Sequence, residues 1–420
     1  MLTKQDLIDD LAGGCKPPDQ FRIGTEHECF VFIKGNQRAP YTGPQGILAL
    51  LTAMQQFGWQ PVVEDGFLIS MAHPLTAATL SLEPGGQFEL SGTPVKTLHE
   101  SHTELITHQQ QLALVAQQLN IRFETIGFDP YNARADVPWM PKARYDIMRS
   151  YMPTRGHLGL DMMTRTCTVQ VNLDYESESD MVKKMRVAMA LQPMMTALFA
   201  NSSWVEGKKT AFQSYRSFIW QNTDPDRCGI LPFVFDDTMG FERYVDYMLS
   251  IPLYFVKRQG RYINAAGQYF RDFMQGKLPA LPGDYPTLLD WHNHLTTAFP
   301  EVRLKHYLEM RGADSGPLDH LIGLPAVWVG LLYDSISLQT VADLTADWSY
   351  AEVQTLYQHV PKQGKRALFR GMPVYQWLGH ILALSQQGLE RRNYLNAQCQ
   401  SETIYLEPLF QNLTLEFGLT

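Results

Sequence analysis

Gly24-Thr25-Glu26-His27-Glu28 places two carboxylates two residues apart. In an extended strand side chains alternate between faces, so Glu26 and Glu28 project together, about 7 Å apart along the chain, while His27 points the other way. Such a pair can hold a hard cation, and it can equally be a solvated strand face. In Leu82-Glu83-Pro84-Gly85-Gly86-Gln87-Phe88-Glu89, two more acids flank a Pro-Gly-Gly segment where backbone can approach a ligand closely. Glu83 and Glu89 share a face if the strand is unbulged, and a turn with incidental acids is the other reading. The stretch Arg303 to Arg311 (RLKHYLEMR) reads as a strand with Arg303, Lys305, Tyr307, Glu309 and Arg311 on one face and Leu304, His306, Leu308 and Met310 on the other.

Five carboxylates, Glu26, Glu28, Glu83, Glu89 and Glu309, are too many for one half-wet sheet face unless cations neutralise them. Oxygen-only ligands favour Mg²⁺ or Mn²⁺ over zinc. Arg165 and Arg311, read on neighbouring strands, add fixed positive charge where a transferring phosphoryl group gathers negative charge. The constellation predicts phosphoryl transfer from a nucleotide. It does so without GxxxxGK[ST] and without GxGxxG after a strand, which argues against P-loop and Rossmann sites. His292, His294 and His306 lack the spacing of a zinc motif and read as satisfied surface or core histidines, and Cys167 and Cys228 as buried inert thiols.

The elements that must position these groups follow from periodicity. Helical patterns run over Lys4 to Ala12, Gly46 to Phe57, Leu98 to Leu119, Ser179 to Phe199, Gly323 to Asp334, Tyr350 to His359 and Val374 to Arg391. The Met-rich stretch Met181 to Met195 is read as helix packing. Strand patterns run over Phe21 to Ile33, Glu64 to Ala72, Thr79 to Ser91, Thr164 to Asp174 and Arg303 to Arg311, with two short strands around Arg258-Gln259-Gly260. Strands come singly or in hairpins between helices of differing length, without a regular βαβ beat, so the expectation is an α+β fold with a largely antiparallel sheet.

The chain has 420 residues, 45% of them hydrophobic and 19% charged, which suits a folded protein with a sizeable core and excludes disorder as its main state. Its net charge of −8 repels polyanions, so nucleic acid is not an expected partner. Cys15, Cys29, Cys167, Cys228 and Cys399 are odd in number, scattered and without a CxxC pair, which fits a reducing compartment and predicts a cytoplasmic location. No targeting segment is legible at the N-terminus. The apolar run Leu324 to Tyr333 is about half the length that spans a bilayer, so a soluble protein without membrane partners is expected.

Seven segments then carry a resemblance: RIGTEHE (22–28), SLEPGGQFELSG (81–92), MPKARYDIMRSYMP (140–153), LGLDMMTRTCTVQVNLD (158–174), YRSFIW (215–220), TDPDRCGILPFVFDD (223–237) and HLTTAFPEVRLKHYLEMRGAD (294–314). In this order they resemble the plant and proteobacterial type of glutamate-cysteine ligase. The resemblance implies a glutamine-synthetase-like catalytic domain, a curved, mainly antiparallel sheet packed against helices. It implies one catalytic domain over 1–420, with a helical region from about 320 packed on it. The implied activity joins the γ-carboxylate of glutamate to the amine of cysteine with ATP and Mg²⁺, through a γ-glutamyl phosphate, as the first step of glutathione synthesis. The implied partners are glutamate, cysteine and ATP, and the expected state is a monomer or homodimer. The implied metal ligands are Glu26, Glu28, Glu83, Glu89 and Glu309, with Gln170 as a further contact and Mn²⁺ as the alternative ion. Arg311 and Arg165 would steady the transferring group, and Tyr145, Arg149, Arg216, Trp220 and Arg227 would bind substrate.

Departures from the family pattern set further expectations. The positions of a regulatory disulfide hold Ala265 and Ala280, so a thiol switch there is chemically impossible. Cys29 stands where a lysine usually follows GTEHE, and Phe218 where a histidine usually sits in RSHIW, which predicts an altered substrate pocket. The segment after Leu406-Glu407-Pro408 is shorter than the family's helical extension. These changes motivate two alternatives: a γ-glutamyl ligase acting on another amine, and a catalytically silent nucleotide-binding relative.

Overall fold

A computed structural model describes residues 1–418. Nine strands form the main sheet: β1 (Ile23–Phe32), β2 (Gln60–Glu64), β3 (Phe67–Ala72), β4 (Thr79–Leu82), β5 (Phe88–Ser91), β6 (Arg122–Glu124), β7 (Thr168–Leu173), β8 (Val302–Leu304) and β9 (Leu308–Asp314). Their order is β8-β9-β7-β1-β5-β4-β3-β2, with β6 pairing one end of β1, and every pairing is antiparallel. The α+β expectation and its antiparallel sheet are borne out.

The helices among the described residues are α1 (Lys4–Ala12), α2 (Ile47–Met54), α3 (Leu98–Leu119), α4 (Ala143–Tyr151), α5 (Gly159–Arg165), α6 (Glu178–Leu198), α7 (Tyr215–Gln221) and α8 (Phe241–Ser250). They continue with α9 (Phe270–Met274), α10 (Leu288–Leu295), α11 (Leu318–Leu332), α12 (Ser335–Thr345), α13 (Tyr350–Gln363), α14 (Val374–Arg392) and α15 (Glu407–Phe417). Local chemistry sets their starts: Thr3 and Thr97 each accept from the backbone N–H three residues on, and Asp6 and Glu100 return the bond, a reciprocal cap that satisfies orphan amides.

One face of the sheet is apolar and covered. Val169, Val171 and Leu173 of β7 are buried with Met185 and Met189 of α6 and with Leu324 and Trp328 of α11, so the methionine-rich segment does pack as a core helix. Leu112 and Val115 of α3 bury Cys29, Val31, Phe88 and Leu90 in a second cluster. Period-two alternation then forces the intervening residues, Glu26, Glu28, Glu89 and Gln170, onto the opposite face. No single helix among the described residues is long and apolar enough to cross a membrane; α11 and α12 reach that length only together, as a pair bent by 88°.

Three strand readings are corrected. Thr164 and Arg165 belong to α5, and the strand starts only at Thr168. Thr79 to Ser91 is a hairpin, because Gly86 adopts φ +77° and its N–H bonds the Glu83 carbonyl at 2.8 Å. Arg303 to Arg311 is also a hairpin, with Arg303 directly opposite Glu309.

Candidate active site

The polar sheet face forms the floor of a cavity of about 330 Å³ lined by Glu26, Glu28, Glu83, Glu89, Gln170, Tyr145, Arg216, Trp220 and Arg311, all of them expected site residues. Register explains the acidic floor: β1 runs between β5 and β7, placing Glu28 opposite Glu89 and Glu26 opposite Gln170. Glu83 enters from the start of the β4–β5 turn. Beyond it, Gly85 approaches α5 so closely that a Cβ would lie 2.4 Å from the Thr164 carbonyl. Gly85 therefore serves backbone-to-backbone packing against α5, while Pro84 beside it lines the cavity. Gln87 locks the turn by donating to the Met163 and Thr166 carbonyls at 3.1 and 3.0 Å.

The acids are hydrogen-bonded by neutral groups. Glu26 accepts from the Asn172 amide at 2.9 Å, Glu28 from the Thr168 N–H at 2.8 Å, and Glu89 from the Ser91 and Ser81 hydroxyls at 2.7 and 3.2 Å. Burial pushes the Glu26 carboxyl up to about 7, with further upward pressure from Glu309 and Glu89. Burial also raises Glu28 well above the usual carboxylate range and raises Glu89, with like charge from their glutamate neighbours adding to both. An all-oxygen acidic set that is unfavourably charged by itself fits a hard divalent cation.

On β9, which only β7 separates from β1, a cationic wall adjoins the acids. Arg311 donates to the Gln170 side-chain oxygen at 2.6 Å and pairs with Glu309. Arg303 grips Glu309 at 2.7 and 3.1 Å, and Lys305 reaches it at 3.0 Å. Burial opposes the charge on Glu309, but Arg303, Lys305 and Arg311 outweigh it and hold the carboxyl well below its ordinary range. Glu309 is fully buried and does not line the cavity. Its role as a metal ligand is corrected to that of a counter-ion organising three cations.

The α7 helix brings Arg216 and Trp220, and Asp314 at the end of β9 seats it. Asp314 accepts from Ser202 and Ser214 at 2.6 and 2.8 Å; Ser214 in turn caps the first turn of α7, and the Ser202 hydroxyl accepts from the Arg216 N–H. Arg216 also donates to the Arg311 carbonyl at 2.9 Å. Three buried donors on residues lining the cavity lack a partner: Arg144 Nε, Arg216 Nε and Trp220 Nε1. Orphaned buried donors converging on one cavity call for a ligand rich in acceptor oxygens.

Three expected arginines lie elsewhere. Arg165 pairs with Asp161 and Glu206 and stacks on Phe128, away from the cavity. Arg149 is exposed on α4 over the Trp139 ring, 4.4 Å from its centroid. Arg227 is fully buried, with Asp224 and the carbonyls of Thr297 and Pro252 as partners. Arg144, which the sequence reading passed over, takes the place at the cavity; it stands in the same quoted segment as Arg149. Tyr145 does wall the site, its hydroxyl donating to the Leu82 carbonyl.

The two departures expected to alter the pocket also miss it. Cys29 is buried on the α3 side of the sheet, and Phe218 packs against Phe212 and Tyr215, ring centroids 4.6 and 5.5 Å away. At the two alanine positions, Ala265 is fully buried and Ala280 donates its N–H to the Gln268 side chain at 2.9 Å.

Residues 22–419 match the model of glutamate-cysteine ligase family 2. The chloroplastic glutamate-cysteine ligase of Medicago truncatula is 54% identical over 422 residues, covering 99% of this chain and 82% of that protein. That of Arabidopsis thaliana is 54% identical over 396 residues, covering 94% and 75%. A solved glutamate-cysteine ligase from Francisella tularensis in complex with AMP superposes with a TM-score of 0.56 over 95% of this chain and 83% of that one, at 12% identity, which shows a shared fold. The relatives from Medicago truncatula, Arabidopsis thaliana and Nicotiana tabacum are all chloroplastic, which overturns the expectation of a cytoplasmic location drawn from cysteine usage. On the match over nearly its whole length, the chain belongs to the glutamate-cysteine ligase family.

Proposed function

We propose that this cavity is where the chain, an ATP-dependent ligase of glutamate and cysteine by its family, makes γ-glutamylcysteine, the first step of glutathione synthesis. The observation that carries the reading is the convergence of Glu26, Glu28, Glu83 and Glu89 with Arg144, Arg216, Arg311 and Lys305 on one cavity. Reaction between a carboxylate and a triphosphate brings like charges together, and both walls are built for that problem.

Glu26, Glu28, Glu83 and Glu89 would hold Mg²⁺, which when bound screens phosphate charge, while the Gln170 amide oxygen is taken up by Arg311. Arg311, anchored by Glu309 and Gln170, presents its guanidinium at a fixed position for the γ-phosphoryl group as it leaves ADP. Transfer to the glutamate side chain gives an acyl phosphate, and the amine of cysteine then displaces phosphate. Arg216 and Arg144, each with an unpartnered Nε, are placed to grip carboxylate or phosphate oxygens. Trp220 supplies an indole N–H and an apolar wall, with Phe299 beside it. In this reading the whole chain is one catalytic unit, with helices from about residue 320 onward supporting the covered side of the sheet.

The test is ADP release by the purified protein with Mg-ATP and glutamate, with and without cysteine, together with mass detection of the product. Cysteine-dependent ADP release with γ-glutamylcysteine formed is expected. Turnover restored only by another amine would replace the acceptor, and nucleotide binding without turnover for any amine would overturn the reading.

A further inference from the structure

Two histidines that read as ordinary in the sequence meet an aspartate 280 or more residues away. Asp10 comes from the last turn of α1, His292 from α10 and His306 from the turn between β8 and β9. His292 Nε2 lies 2.8 Å and His306 Nε2 3.3 Å from the same oxygen, Asp10 Oδ1, with the two imidazole rings 5.7 Å apart and nearly perpendicular. The packing is tight: a Cβ on Gly14, just past α1, would lie 2.7 Å from the His306 Cα.

Hydrogen bonding leaves this cluster incomplete. The Asp10 side chain is 8% exposed, yet its Oδ2 is buried and has no partner. His306 Nε2 is buried and forms no hydrogen bond, despite its closeness to Asp10. A buried carboxylate oxygen and a buried imidazole nitrogen in one cluster, both unsatisfied, are uncommon in a settled ion pair. They are the natural state of ligands whose common partner is a cation.

We propose that Asp10, His292 and His306 form a binding site for a divalent transition metal ion of the zinc class. Two imidazole nitrogens and one carboxylate oxygen favour Zn²⁺ over Mg²⁺, whereas the all-oxygen cavity favours the reverse. Tetrahedral ligands at about 2.0–2.1 Å from zinc stand about 3.3 Å from one another, the separation of His306 from Asp10, while His292 at 2.8 Å is hydrogen-bonded to the same oxygen and would give up that bond to the ion. His292 is 45% exposed at its side chain, which opens a path from solvent and leaves a fourth position for water. The ion would join α1 and α10 to the turn that carries Lys305, whose ammonium is 3.0 Å from Glu309. The proposal stands independently of the reaction assigned to the cavity.

The test uses the full chain without any affinity tag, stripped with chelator and dialysed against Zn²⁺ in excess Mg²⁺, with bound zinc measured by elemental analysis. One equivalent is expected, with affinity falling roughly 100-fold or more in His292→Ala and in His306→Ala and unchanged in Glu28→Gln. Co²⁺ in place of zinc should give visible absorption bands of a tetrahedral site that His292→Ala removes. Because His292 is largely at the surface, its loss should leave folding intact. Equal zinc binding by the wild type and His292→Ala, no zinc binding by the wild type, or loss of zinc in Glu28→Gln would each overturn the site.

Discussion

On β1, β5 and the turn before β5, four glutamates face a shared space, and the hydrogen bonds they receive come from hydroxyls, an amide and a backbone N–H. On the same sheet, opposite the Asn172 that donates to Glu26, Glu309 is enclosed by Arg303, Lys305 and Arg311. The same side chain thus lives in two opposite electrostatic conditions a short distance apart. Burial and like charge push Glu26, Glu28 and Glu89 toward the neutral form, whereas three cations hold Glu309 ionised. In the proposed reading a cation completes the first wall, whereas the charge of the second is already balanced by Glu309.

The contrast is broken most severely at Glu28. Glu28→Gln should lower kcat roughly 1,000-fold, because a neutral amide holds Mg²⁺ poorly, while urea unfolding of the metal-free protein should show no loss of stability. A near-normal rate would remove Glu28 from the site. The same chemical change at Glu309 should act in the reverse sense. Glu309→Gln leaves buried Arg303 and the half-buried Lys305 and Arg311 without their counter-ion and should cost about 3 kcal/mol in urea unfolding, with turnover reduced as Arg311 loses its anchor. Equal stability of this variant and the wild type would dissolve the distinction between the walls.

A titration sharpens the comparison more gently. Glu26 is raised from 4.5 to about 7 in the folded protein, so the folded state binds more protons than the unfolded one between those values. Stability from this group is fully present below about pH 4.5 and is lost as the pH rises through about 7. Because buried histidines such as His27 and His108 pull the other way, the effect is read against Glu26→Gln: between pH 5.5 and pH 8 the metal-free wild type should lose melting temperature relative to that variant, and saturating Mg²⁺ should shrink the difference. An Mg²⁺-independent slope would contradict the acidic wall as the cation site. The smallest effect is expected at Phe218. It packs against Phe212 and Tyr215 outside the cavity, so Phe218→His should leave the KM for cysteine within about twofold, and a larger shift would return the residue to the pocket.

Much of this site was legible because strand periodicity is short and strict. Glu26, Glu28, Glu89 and Gln170 each lie on the polar side of an alternating strand, and the apolar residues between them fix which side that is. Arg303 and Glu309 were assigned to one face for a reason that survives the correction, since a hairpin pairing them keeps them on the same side. The arginines were harder. Arg144 and Arg149 lie five residues apart on α4, about 140° around the helix axis, so only one of them can face the cavity and the choice depends on how α4 packs. Arg165 was misplaced because the β-branched run that follows it hides the end of α5. Arg227 could not be told from a substrate ligand, since its partners Asp224, Pro252 and Thr297 are a matter of tertiary packing. The Asp10–His292–His306 cluster was illegible for a simpler reason: nothing local relates residues so far apart in the chain.

The seating of α7 on Asp314 has a mechanical consequence. Asp314 stands three residues after Arg311 on the same strand, and through Ser202 and Ser214 it fixes the start of the helix that bears Arg216 and Trp220. With Arg216 also bonded to the Arg311 carbonyl, strand and helix form a closed truss. The two arginines then move as one jaw, and any tightening of the site around its substrates must be supplied by the parts that face it.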